Sequence, residues 1–88
     1  MALSSGDNPF GGQLTATTTP ASLGTHPCST VCVQNYPGST PNLLVGGSNG
    51  QYFVLKPGSS ITIPCGNVSQ VYVVAASGTA TVNWISVQ

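Results

Sequence analysis

Charge is what this 88-residue sequence most conspicuously lacks. Asp7 and Lys56 are its only acid and base, the charged fraction is 2% and the formal net charge is zero, where an average globular domain is about a quarter charged. That scarcity argues against nucleic-acid binding, which needs Lys and Arg to neutralise phosphates. It also leaves an acid–base enzyme almost nothing to work with, so no catalytic activity and no cofactor are expected. No run approaches the ~20 apolar residues of a membrane helix. The N-terminus "MALSSGDNPFGG" shows neither the basic nor the apolar region of a secretory signal. The chain is therefore expected to be made in a cytosol and to leave it, if at all, by lysis or inside a particle. Near-neutrality removes the usual repulsion between copies and favours association.

Helix-forming windows are also missing, since each is broken by Gly or Pro or dominated by β-branched residues. What remains is short β-rich runs cut by turn residues. "STVCVQN" places Val31 and Val33 on one face and Thr30, Cys32 and Gln34 on the other. "NLLVGG" ends at a Gly pair and is followed by an Asn-Gly turn. "QYFVL" is expected to pair with "SSITIP" across "KPGS", where Pro57 and Gly58 suit a type II turn. The fold class expected is all-β, a small antiparallel β-sandwich or barrel over residues 28–88.

Residues 1–27, rich in Ser, Thr, Gly and Pro, are expected to form an extended N-terminal arm. The arm is either a flexible tail or a segment ordered on a neighbouring subunit. Within it "QLTATTT" alternates and is itself a candidate strand.

The C-terminal run "QVYVVAASGTATVNWI" contains no charge at all. If Ser77-Gly78 makes a two-residue hairpin turn, Val71, Val73 and Ala75 share a face with Ala80, Val82 and Trp84. Tyr72, Val74, Ala76, Thr79, Thr81 and Asn83 then share the other. Half-apolar, hydroxyl-rich and uncharged, that second face is expected to be a subunit interface, the alternative being a second core layer.

Three cysteines and one histidine are the only candidates for site chemistry. His26, Cys28, Cys32 and Cys65 hold the ligands of a Cys3His zinc centre in principle. An extended 28–32 segment, however, would hold its two thiols about 13 Å apart, so no metal site is expected. A disulfide from Cys65 to Cys28 or to Cys32 leaves one thiol over, and three reduced, buried thiols acting as small hydrophobes is the default. "VGGSNG" lacks the G-K-[ST] and following helix of a phosphate loop and is a turn. Tyr36, Tyr52, Tyr72, Asn35 and Asn83 are the residues available to a glycan site.

The element order "VCVQN", "NLLVGG", "LKPGSSITIP", "NVSQVYVVAASGTATVNWI", from about Val31 to Val87, resembles small structural proteins of tailed bacteriophages and prophages. The resemblance implies a β-sandwich that decorates or cements a phage head on the capsid surface. It implies a homo-oligomer, often a trimer, with the major capsid protein as partner. On this reading Leu3, Phe10, Leu14 and Leu23 are the capsid-contacting residues of the arm. The alternative is a glycan- or surface-binding module displayed on a virion.

Overall fold

A computed structural model describes residues 9–88 as eight strands and one 3-10 turn. The strands are β1 (Phe10–Ala16), β2 (Ala21–Ser22), β3 (Thr30–Asn35), β4 (Leu43–Gly47), β5 (Gly50–Leu55), β6 (Ser60–Pro64), β7 (Tyr72–Ala75) and β8 (Ala80–Val87). They form two four-stranded antiparallel sheets, β1-β8-β3-β6 and β2-β7-β4-β5. This interleaved order is that of a double-sheet jelly roll. The expected all-β sandwich is what the chain forms.

Alternation sets the core. Val31 and Val33 of β3, Val82 and Trp84 of β8, Leu43 and Val45 of β4, and Val73 and Ala75 of β7 all point between the sheets and are buried. The faces read from the sequence therefore hold: Val71, Val73 and Ala75 meet Ala80, Val82 and Trp84 in one core. Asn35 is the buried polar side chain that pins one end, its amide donating to Pro41 O at 3.1 Å and to Leu55 O at 3.0 Å.

The pairings differ from those expected. β7 and β8 are not a hairpin. They lie in opposite sheets, and Val73 and Val82 meet across the core instead of side by side. β5 and β6 are likewise split between the sheets, although the turn between them is as expected, with Gly58 at φ +90° and Ser59 N donating to Lys56 O. Among the described residues, only β4 and β5 are consecutive strands paired in one sheet.

The arm also differs. β1 pairs with β8 along its whole length, from Phe10↔Ser86 to Ala16↔Ala80, and Leu23 is buried in the core. The boundary expected at residue 27 thus falls inside the sandwich. Gly12 shows why a segment of linker composition becomes a strand: a Cβ there would lie 2.4 Å from the Trp84 indole. Glycine at this point admits the largest core side chain beneath the edge of the sheet.

Candidate assembly interface

The six residues expected to share one interface lie on two opposite faces. Tyr72 and Val74 belong to the outer face of β2-β7-β4-β5, while Thr81 and Asn83 belong to that of β1-β8-β3-β6. Ala76 and Thr79 are exposed at the turn that joins the sheets. The physical reason is the cross-core connection: alternation fixed which residues point outward, but on different sheets.

Each face has its own chemistry. On the first sheet, the register aligns Gln13, Asn83, Gln34 and Ser60 in one row across β1, β8, β3 and β6. Gln13 Nε2 donates to Asn83 Oδ1 at 2.8 Å, and Asn83 Nδ2 donates to Gln34 Oε1 at 3.3 Å, giving an amide ladder over three strands. Beside it Ile85, 52% exposed, stands opposite Cys32.

The other sheet aligns Val74, Leu44 and Val54 in one apolar row that runs to the free edge of β5, with Val74 buried, Leu44 half-buried and Val54 exposed. There Tyr52, Phe53 and Val54 are 85%, 55% and 51% exposed in succession. Phe53 lies on the core-facing side with Val45 but stays half exposed because β5 is an edge strand. Three consecutive exposed apolar residues on an uncharged edge strand lack the charges or prolines with which monomeric sheets protect such edges. Sequence reading missed this edge, since "QYFVL" does not reveal which strand has a free side.

Of the residues assigned to a capsid-contacting arm, Leu3 lies outside the described residues. Leu14 packs against the core, Leu23 is buried within it, and Phe10 stacks on His26 with ring centroids 3.8 Å apart. Tyr36 follows β3 in one sheet, whereas Tyr52 and Tyr72 lie on the other, and Asn35 is buried, so the candidate glycan residues do not converge.

Nor do the thiols converge as a set. Cys32 faces outward from β3, opposite Thr62 and Ile85. Cys28 and Cys65 turn toward the core, where their Sγ atoms are 3.6 Å apart. They are brought together because Cys28 N donates to Gly66 O and Cys65 N to Ser29 O, extending the β3–β6 ladder beyond its last pair. Below them, Asn67 and Gln70 form a capping box on the 3-10 turn Val68–Gln70 that holds this end closed. Burial pushes the Cys28 thiol up to about 11, helped by its hydrogen bond to Cys65 and the proximity of that second thiol. Cys65 lines an open cleft of about 580 Å³ between the ends of β4 and β6.

A two-sheet jelly roll with a bare apolar edge and uncharged faces has the form of a structural, assembling module. Residues 10–88 match the family described as Enas, endospore appendages, and the chain belongs to that family. It is therefore a structural protein, of a family described as endospore appendages. A search of curated proteins returned no match.

Among solved structures, a cupin superfamily protein from Desulfitobacterium hafniense is 13% identical, with a TM-score of 0.60 over 99% of this chain and 73% of that one. The SPBc2 prophage-derived protein YomS is 17% identical, with a TM-score of 0.55 over 100% and 99% of the two chains. At such identities both show the fold alone. A Bacillus endospore appendage protein, described as forming disulfide-linked pili, is 17% identical over 99% and 96% of the chains; its TM-score of 0.47 is too low to carry weight.

Proposed function

We propose that the chain is the repeating, non-catalytic subunit of a spore-surface appendage, joined to its neighbours by strand addition at the free edge of β5. The observation that carries this reading is the Tyr52-Phe53-Val54 edge. An added strand satisfies the unpaired backbone groups there and places its own side chains beside Val54, the exposed end of the row, in the same step. Family membership supports the appendage, and the near absence of charge removes the repulsion that would keep copies apart.

The full-length protein is expected to form fibres by negative-stain microscopy, and Val54→Lys to give single subunits of unchanged fold. A protein that stays monomeric when concentrated, or a Val54→Lys protein that still forms fibres, overturns the reading.

A second reading has one observation in its favour, the end-to-end fold likeness to a prophage-derived protein. In it the chain decorates a phage head, as a trimer bound to the major capsid protein. It requires a closed oligomer of fixed mass by light scattering, where the appendage requires open growth.

A further inference from the structure

We propose that Cys28 and Cys65 form an intrachain disulfide on meeting a small-molecule disulfide, which leaves Cys32 as the single thiol through which one chain can be bonded to another. The inference is independent of the appendage reading.

The geometry selects the pair. Cys28 and Cys65 lie on extended segments tied by two backbone hydrogen bonds, Cys28 N to Gly66 O at 3.1 Å and Cys65 N to Ser29 O at 3.2 Å. Both side chains turn inward, and their Sγ atoms at 3.6 Å need only small side-chain rotations to reach the ~2 Å of a disulfide. Cys32 cannot compete for Cys65. It points to the opposite side of the sheet, and its partner on β6 is Thr62, three residues before Cys65.

Access follows from the two environments. Cys65 lines the open cleft between the ends of β4 and β6, wide enough at about 580 Å³ for a small disulfide to enter. Cys28 is buried behind it. Cys65 is thus the entry thiol. After losing its proton to solvent, its sulfur attacks one sulfur of the reagent, the reagent's S–S bond breaks, and one small thiolate leaves. Cys28 then gives up its proton and its sulfur attacks Cys65 Sγ in the mixed disulfide, expelling the second small thiolate. The protein loses two electrons and two protons, and the reagent gains both as two thiols. The raised affinity of Cys28 for its proton makes the second step the slower one at neutral pH.

The consequence is a limit on covalent assembly. The sequence holds three cysteines. With two closed within the chain, the third can bond one other chain and no more. Cysteine cross-links then stop at pairs, and any longer array is held by non-covalent contacts.

The test uses the purified full-length protein and glutathione disulfide, followed by maleimide labelling, intact mass and peptide mapping. The expected result for the monomer is the loss of two hydrogens, one label per chain, and a Cys28–Cys65 cross-linked peptide, while chains in the dimer carry no label. Non-reducing gels should show monomers and dimers, with the dimers absent from Cys32→Ser. The Cys28→Ser protein should instead trap glutathione on Cys65. The oxidised protein and oxidised Cys32→Ser should melt on the order of 10 °C above their reduced forms, as expected for closing a loop of this length in a small domain. Three labels after oxidation, a map joining Cys32 to either partner, or ladders longer than dimers would overturn the proposal. The wild-type map alone decides the pairing, so a variant that fails to fold does not blunt the test.

Discussion

The indole of Trp84 occupies the space that a side chain at position 12 would fill. A Cβ built on Gly12 comes within 2.4 Å of the ring, which is itself 8% exposed and packed in the core. Gly12→Ala must therefore push the indole or lift β1 off β8. The expected loss is about 1–3 kcal/mol, measured by urea denaturation. Gly11→Ala, whose Cβ would meet only the Trp84 carbonyl at 3.5 Å, is expected to leave stability nearly unchanged.

Tyr72 and Asn83, cross-strand partners in the hairpin expected from the sequence, lie on opposite outer faces in the structure. Tyr72→Lys and Asn83→Glu should therefore not form a stabilising pair. Their double-mutant coupling energy for unfolding is expected to stay within about 0.5 kcal/mol of zero. In a hairpin, an ion pair at these positions would contribute roughly 0.2–1 kcal/mol, so a coupling near the top of that range contradicts the sheet assignment.

The reduced protein should lose stability in alkali. Burial lifts the Cys28 thiol from its ordinary 9.0 to about 11, so above pH 9 the unfolded chain releases a proton that the folded chain retains. Stability from this group is complete below pH 9 and declines as the pH passes from 9 to 11. Subtracting the pH profile of Cys28→Ala, measured with reductant present, isolates the contribution from the tyrosines and Lys56. Equal slopes for the two proteins would refute it.

Asn35 donates both amide hydrogens to carbonyls at the end of the sandwich. Asn35→Ala orphans those carbonyls and is expected to cost about 2–3 kcal/mol. Asn35→Asp should be worse at neutral pH, because a buried carboxylate would face two carbonyl oxygens. Burial raises the pKa of such a carboxyl, so part of the loss should return as the pH falls and the group protonates. Chemical denaturation at pH 7 and at pH 4 separates the two variants.

The sequence disclosed directions but not neighbours. Alternation correctly placed Val31, Val33, Val82 and Trp84 inside and left Tyr72, Thr81 and Asn83 partly exposed, but Val74, on the same face as Tyr72, is buried. Turn chemistry was clear at Gly58, which takes positive φ as expected, but the primed hairpin turn expected at Ser77-Gly78 does not form, since only Gly78 and not Ser77 has positive φ. Neither signal says whether the chain, after a tight turn, returns beside the strand it left or crosses to the other sheet. Both crossings were therefore read as hairpins.

The same gap hid the edge position of Tyr52, Phe53 and Val54, which depends on the whole strand order. Residues 10–23 were misjudged for another reason. A strand that must make room for Trp84 needs glycine, and glycine beside Ser and Thr looks like a linker. The Cys28–Cys65 approach was one of two disulfides the spacing allowed, and only the ladder beyond β3 and β6 selects it.

The position of β8 between β1 and β3 has a kinetic consequence. β8 follows both strands it pairs with by many residues, so β1 and β3 cannot be joined in one sheet during synthesis until residues 80–87 have left the ribosome. With β4 and β5 as the one local hairpin among the described residues, most contacts require closing a long loop before any core is gained. Such topologies fold in milliseconds to seconds, not microseconds. During that interval the bare "QYFVL" edge is already hairpinned and exposed, and premature partnering there competes with completion of the fold.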